Sequence, residues 1–508
     1  MYNGYELNQN SCGSGSFSRR YTIPMLRSTA ALLSLCLVFI PCAKPQGGQN
    51  APWVSQTVDG TLTYRADEKG NRIPDFSYVG YKDGDAPIPE LPVTRVVEPL
   101  ADKAAFADAI VQKALDETKS GAVLLKRGTY RFAGGIFLRN PGVVLRGEGE
   151  GADGTVLVAT QKKQHTLIVV GGEGQAQAEK DSRQEITDDY VPCGADTLTV
   201  ADASGFKVGD EVIVRRASTA KWISVLGMDK IPPRSDGTAI QQWAPGSKDL
   251  AFERRITAIS GKTLTLDAPV TNALEREFGP HTVSKLRFPQ RIEEIGVENL
   301  RCVSEFASPY DEDHGWSAIA FRAARNGWVR HITAEHFGFA CVAIGRSARN
   351  ITVEDSMCLD PISKIEGGRR YPFQITGQRN LVQRCKARNG RHDFALDSSV
   401  PGPNVFSDCT ATQSHADSGP HHRWSCGVLY DNVTITAAKG AKGVGINIRN
   451  RGNLGTGHGW TGAYQVIWNS TAPEMIVQNP PTARNWVVTE TAIPSLYKAQ
   501  RAQRQAKP

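Results

Sequence analysis

Between residues 299 and 433 a polar residue followed by an apolar one keeps returning. It stands at Asn299-Leu300, His331-Ile332, Asn350-Ile351, Asn380-Leu381, Asn404-Val405 and Asn432-Val433, at successive spacings of 32, 19, 30, 24 and 28 residues. A unit of that length cannot bury its apolar face alone, so its repetition demands stacking into a solenoid. Five of the six polar residues are Asn, and an Asn at a matching corner can hydrogen-bond the backbone of the next coil. The uneven spacing gives successive coils loops of different length, and such loops build sites. The leucine spacing of a leucine-rich repeat is missing. A content of 49 Gly and 5 Met in 508 residues favours turns and β structure over helix.

The rest of the chain divides around this repeat. Met25-Leu-Arg27 opens a short positive region, Ser28 to Ile40 is a mostly apolar run of 13 residues, and Pro41-Cys42-Ala43 offers a small-residue cleavage site. The run is too short to span a bilayer, so residues 1–43 are expected to be a leader of a secreted or periplasmic protein, with a lipoprotein attached through Cys42 as the variant reading. Residues 44–100, rich in Pro, Gly and Asp, read as an extended arm. Residues 102–117 carry apolar side chains at 106, 109, 110 and 114, which is helical spacing. Short apolar strands divided by Gly and Asn-Pro turns follow, so 101–189 reads as a cap and first coils. Residues 190–275 form strand–turn–strand units and read as a β-rich insertion, where Trp222 and Trp243 either line a glycan groove or pack the insertion on the body. The coils return over 276–475, and 476–508 reads as a C-terminal cap with a loose basic end.

The helix followed by GAVLLKRGTYRFAGGIFLRNPGVVLRGEGEG resembles the N-terminal cap and first turns of the pectate-lyase-like superfamily. That resemblance implies an all-β fold: a right-handed parallel β-helix with an N-terminal capping helix. It leaves the reaction open, because the superfamily holds lyases, hydrolases, epimerases and phage tailspikes.

The candidate site lies between residues 369 and 460. Three segments can be overlaid: Arg370-Tyr-Pro-Phe-Gln-Ile, Arg391-His-Asp-Phe-Ala-Leu and Arg423-Trp-Ser-Cys-Gly-Val. Stacked coils would set the three arginines one above another, about 4.8 Å apart, with His392, His421 and His422 beside them. Like charges at that separation repel unless an anion covers them, and Arg pairs bidentately with carboxylate or sulfate. β-Elimination on a uronate glycan fits these residue types, since it needs the carboxylate neutralised, a general base and a proton donor. Arg391 and Arg423 are the expected neutralisers, His422 or His392 the base, and Tyr430 or Tyr371 the donor. Arg370, Tyr371, His421, Trp424, Arg449, Arg451, His458 and Trp460 are the expected substrate-binding residues.

The rival chemistry is glycoside hydrolysis by two carboxyl groups. Asp393 with Asp397, Asp417, or the run Asp311-Glu312-Asp313 could supply them, although such a run is more often a solvated loop. The same run offers hard oxygen ligands for Ca²⁺, without EF-hand spacing. No cofactor or metal set is otherwise indicated. A third reading is a glycan-binding protein without catalysis.

Other signals set bounds. A net charge of +7 spread over the chain is no nucleic-acid footprint and suits an acidic polysaccharide. Beyond the leader stand Cys193, Cys302, Cys341, Cys358, Cys385, Cys409 and Cys426, seven residues without CxxC spacing, read as small core side chains, with disulfides left open by export. Gly147-Glu-Gly-Glu-Gly and Gly171-Gly-Glu-Gly lack the following helix of a phosphate cradle. The oligomeric state is left open.

Overall fold

The computed structural model describes residues 52–506; the expected leader, with Cys12, Cys36 and Cys42, lies outside the described residues. The chain winds as a right-handed parallel β-helix. A typical coil gives three strands, as in Phe373–Ile375, Leu381–Gln383 and Lys386–Arg388. The next coil, Phe394–Leu396, Asn404–Ser407 and Thr410–Ser414, pairs with it in parallel at Phe373↔Phe394, Leu381↔Val405 and Lys386↔Thr410. The first sheet runs from Ile136–Leu138 to Gly419–Pro420. The second runs from Val93–Val97 to Trp486–Val488, and the third from Gly128–Phe132 to Thr434–Ala437. The strands Ile292–Ser304 and Ala324–Glu335 pass through the corner and belong to both of the latter sheets.

Side chains at alternate strand positions fill the interior. Phe373 stacks on Phe394 and Phe406 on Tyr430, with centroids 6.0 and 5.4 Å apart. The seven cysteines of the described residues are all buried and none is bridged. They serve as small apolar side chains of the core.

The repeated Asn–apolar pair turns out to mark two different corners. Asn299, His331 and Asn432 turn the chain from the second sheet to the third with φ of 55°, 53° and 57°, a left-handed corner also held by Asp355, Arg384 and Asp408. Asn and Asp tolerate that conformation because their short polar side chains bond locally. Asn380 and Asn404 stand instead at the entry to the second sheet. There the Asn380 amide N–H donates to Asn404 Oδ1 at 3.0 Å, and the Ile351 N–H donates to Asn380 Oδ1 at 3.0 Å. Gln465 and Asn485 carry this ladder into later coils.

The capping helix is Asp108–Glu117. It buries Val111, Ala114 and Leu115, while Phe106 and Ile110 stay exposed. The inward face is thus one residue round from the one read off the apolar spacing. Within 44–100, Val93–Val97 is already a rung of the second sheet. Ahead of it the chain lies along the outer face of that sheet. Trp53 meets Trp486 at 6.3 Å, the Gly80 N–H donates to the Arg379 carbonyl at 2.8 Å, and Tyr81 packs edge-on against Trp328 at 5.3 Å.

The insertion leaves the first sheet after His165–Val170 and returns at Ile292, wider than the sequence indicated. Its antiparallel sheet includes Glu211–Arg216, Leu250–Ser260, Thr263–Leu266 and Thr282–Arg287. Trp222 and Trp243 are buried, and Trp222 packs edge-on against Trp424 of a coil at 4.8 Å. They anchor the insertion to the body and line no groove. The fully buried Arg254 adds a polar stitch, donating to Pro269 and Gly402 carbonyls at 2.8 and 2.9 Å.

The described C-terminal segment is not loose. The helix Leu496–Gln505 is capped by Ser495, and Asp431 of the second sheet accepts from Ser495 Oγ and the Tyr497 N–H. Gln500 bonds the backbone of Phe76 and Pro74, and Arg504 donates to Ser77 and Asp83. The last helix therefore grips the segment that precedes the first coil. Among the described residues, no helix is long and apolar enough to cross a membrane.

Candidate active site

Two of the three overlaid segments stack as expected. Phe373 pairs with Phe394, and the N–H groups of Arg391 and His392 both donate to the Arg370 carbonyl, at 2.9 and 3.0 Å. The third does not. Ala395 pairs with Gly419 and Leu396 with Pro420, so Arg423 falls beyond the strand, where its carbonyl accepts from the Ser399 N–H at 3.1 Å. The three-arginine ladder does not form. Arg370 is buried and spends its guanidinium on the Ser363 and Asn389 carbonyls, at 2.7 and 3.3 Å.

The first sheet gathers a cluster of rings on its outer face instead. Phe394 and Leu396 point inward, so Ala395 points outward, and Gly419 is its neighbour on the next coil. These small residues leave room for larger side chains to lean over them. His392 and His421 approach to 4.5 Å between ring centroids. His421 lies 5.3 Å from His422 and 5.0 Å from His458, and His422 lies 5.0 Å from His458. Tyr371 packs on His392 at 4.8 Å, and its hydroxyl is 3.1 Å from His421 Nε2.

Two carboxylates serve this cluster as counter-ions. Asp417 is buried between Arg451, which donates to its Oδ2, and His392, whose Nδ1 is 3.4 Å from its Oδ1. His392 Nδ1 also meets the Asp417 carbonyl. Both contacts need a donor, so the His392 proton is assigned to Nδ1 and its Nε2 is a bare acceptor. Burial works against the Asp417 charge, yet His392 and Arg451 hold the carboxyl well below the ordinary range. Asp397 Oδ1 is 3.3 Å from His422 Nδ1. Arg451 Nη1 reaches His421 Nδ1 at 3.5 Å.

Four cations rim the cluster and contact only neutral oxygens. Arg391 donates to the Gly367 carbonyl, Arg423 to Thr456 Oγ1, and Arg346 to the Ser398 and Ser399 carbonyls. Lys248, from the insertion, donates to the Ser247 carbonyl at 3.0 Å. Among the described residues, none of the four forms an ion pair. Lys248 and Arg346 escaped the sequence reading. Lys248 arrives from a remote segment, and Arg346 follows a strand that carries no basic motif.

Burial, helped by the surrounding cations, depresses each imidazole of the cluster. Burial, then Arg423 and Arg451, lower His422 to about 3, and burial, then His422 and Arg451, lower His458 to about 3. Burial and the flanking cations lower His392 and His421 too. Lys248 falls to about 8 through burial, Arg423 and Arg346. Tyr371 rises to about 12, mainly through burial, which keeps its phenol protonated.

His458 rides on a glycine-rich excursion held by the insertion. The Gln241 N–H donates to the Thr456 carbonyl at 2.9 Å, and Asn453 Nδ2 to the Pro233 carbonyl at 3.0 Å. Trp460 donates to the Leu226 carbonyl at 3.3 Å. It belongs to this contact, and the backbone N–H of Arg449 donates to Thr461 Oγ1 at 3.1 Å.

Other expected residues fall elsewhere. Tyr430 is fully buried inside the coil, its hydroxyl directed at the Phe394 carbonyl, and no substrate on the outer face can reach it. Trp424 is buried against the insertion with Nε1 on Asn272 Oδ1. Asp393 is fully buried and takes a hydrogen bond from Ser414, so it cannot pair with Asp397 across a glycosidic bond. Glu312 is bound to Arg369, and Asp311 caps its own loop through the Ala307 and Asp313 N–H groups. That run is a loop latch and, among the described residues, no group of three His, Cys, Asp or Glu is placed to hold a metal ion.

Comparison with known proteins finds no matching family model and no matching curated protein. Solved structures do match in part. The tailspike protein gp49 from Pseudomonas phage LKA1 aligns over 74% of this chain and 58% of its own, at 14% identity and a TM-score of 0.41. The alginate lyase from Paenibacillus sp. str. FPU-7 aligns over 78% and 98%, at 9% identity and 0.39. The tailspike of E. coli bacteriophage HK620, solved with a pentasaccharide, aligns over 89% and 56%, at 10% identity and 0.37. These likenesses are too distant to assign a reaction, and the fold rests on the strand pairing given above.

Proposed function

We propose that this protein is a polysaccharide lyase that cleaves an anionic, uronate-containing glycan by β-elimination at the Tyr371–His421 cluster. The observation that carries the reading is the rim of four cations, Arg346, Arg391, Arg423 and Lys248, bonded only to neutral oxygens. A cluster with that excess of positive charge is incomplete without an anion over it.

In the proposed reaction Arg391 and Arg423 neutralise the uronate carboxylate, which lets the charge develop at C5 as its proton leaves. His421, kept neutral by burial and the neighbouring cations, takes that proton on Nε2 in the tautomer that carries its own proton on Nδ1, with Arg451 a neighbour at 3.5 Å rather than a donor to that nitrogen. The C4–O4 bond breaks, the C4–C5 double bond forms, and the Tyr371 phenol protonates O4. The imidazolium then returns the proton to the phenolate across their 3.1 Å contact. Asp417 holds His392 and Arg451 against His421 and so positions it. Hydrolysis fits less well, because Asp393 is buried and Asp417 is held by Arg451, so neither is free to act as the second carboxyl group beside Asp397.

The test is ultraviolet absorbance of the unsaturated uronate product, followed beside a reducing-end assay on polygalacturonate, alginate and glycosaminoglycans. Rising absorbance that is lost in His421→Ala supports elimination at this site. Reducing ends without absorbance would overturn it in favour of hydrolysis, and binding without either product would leave a glycan-binding protein.

A further inference from the structure

We infer that Trp316 and Phe339 form an outer subsite that stacks on a pyranose ring of the same polysaccharide, two coils from the histidine cluster; the inference rests on the polysaccharide reading above. Ser317 pairs with Ala340, so Trp316 and Phe339 hold matching positions on successive coils of the first sheet. Their rings are parallel within 6°, with centroids 6.4 Å apart. Phe339 then meets Tyr371 at 5.3 Å. The backbone keeps the same order, the Phe339 N–H donating to the Trp316 carbonyl and the Tyr371 N–H to the Phe339 carbonyl, each at 2.7 Å. A continuous line of rings therefore leads along the coil axis into the proposed active site.

Trp222, Trp328, Trp424, Trp468 and Trp486 are all buried, whereas Trp316 and Phe339 are partly exposed on the outer face. Partly exposed Trp53 is covered by the guanidinium groups of Arg65 and Arg484. Among the described residues, no cation covers Trp316. Its indole rests on Gly338, where an added Cβ would lie 2.5 Å from Cε3. The ring is thus fixed from behind.

The flanking loops are fixed as well. Arg369 Nη2 donates to Glu312 Oε2 at 2.8 Å, and Ser363 Oγ to the Gly338 carbonyl at 2.9 Å. His314 Nε2 meets the Ile362 carbonyl at 2.8 Å. A rigid, flat, partly wet aromatic surface suits the apolar C–H face of a sugar, which loses little entropy on docking there. The axial direction of the rings requires a substrate several sugars long, with one end on the platform and the other at Tyr371.

Affinity electrophoresis through gels cast with polygalacturonate, alginate, xylan or dextran tests this with the intact protein. Trp316→Ala and Phe339→Ala should weaken retardation about five- to tenfold, the range of an aromatic contact. Trp316→Phe should keep most of it, and thermal unfolding should not move. If both alanine variants are retarded like the wild type in a gel that retards it, the subsite is overturned while the polysaccharide reading stands. If xylan or dextran alone retards the wild type and the variants lose that, the platform stands and the anionic reading falls. If no gel retards the wild type, both fall.

Discussion

The Tyr371 hydroxyl and His421 Nε2 lie 3.1 Å apart, although the coil of His392 intervenes between theirs. The small Ala395 and Gly419 leave room for these side chains to lean over the sheet, with the His392 ring touching both of the others. If this pair moves the proton from C5 to O4, Tyr371→Phe and His421→Ala should each lower kcat at least about a hundredfold, the contribution of a positioned acid or base, with a smaller change in KM. Steady-state rates of unsaturated product measure this. A double variant should be little worse than either single one, because the two residues act as a unit.

The depressed imidazoles make a prediction about pH. His422 and His458 stand at about 3 in the folded chain against an ordinary 6.5. The unfolded chain therefore binds their protons first, so stability is unaffected above that ordinary value and drains away as pH falls from there toward 3. Melting temperature should drop steadily on acidification through this window. His458→Gln should flatten the drop, and an unchanged slope in that variant would exclude the cluster as its source. A bound polyanion reverses the local field, so calorimetry in buffers of different ionisation enthalpy should show proton uptake on binding.

Asp393 gives the opposite sign. Burial raises its carboxyl to about 7, against the hydrogen bond from Ser414. The folded chain holds this proton longer than the unfolded chain does, so stability is full below the ordinary carboxylate range and declines as pH rises through 7. Asp393→Asn should remove that decline and leave catalysis untouched. Loss of activity in this variant, with the fold intact, would bring back the paired-aspartate reading.

Gly459 holds the insertion against the loop of His458. Its φ is 60°, and a Cβ there would stand 2.4 Å from Met228 Sδ and 2.9 Å from Trp243 Cζ2. Gly459→Ala should push the two apart and displace His458 and Thr456, the latter being the partner of Arg423. The expected result is a fall in kcat/KM of about tenfold or more, the scale of a small misplacement near a reacting group. Melting should change far less, since the coils beneath keep their cores.

Much of the solenoid was legible because its period is written in side chains that do one job on every coil. Asn380 and Asn404 bond the backbone of the preceding coil at one corner, and Asn299 and Asn432 take the left-handed turn at another. Sequence alone merges these two roles into one ladder, since both put Asn before an apolar residue. The register of the third coil was illegible for a plain reason. Its rung is Ser418-Gly419-Pro420, with no apolar triplet to catch the eye, so the pattern jumped to Arg423-Trp-Ser-Cys. Tyr430 misled in the same way, because inward and outward positions differ by a single residue. Lys248 was beyond reach, as only the folded insertion brings it to the cluster.

The grip of Gln500 and Arg504 on residues 74 to 83 ties the two ends of the coil stack together. An open row of repeats can fray from either end, one rung at a time. Here the segment before the first rung lies across the later ones, and the last helix fastens it, so neither end is free to peel. The stack is laced shut, and the lace holds only while the helix Leu496–Gln505 is in place. Removal of the helix Leu496–Gln505 would leave a row of coils with an unfastened strap.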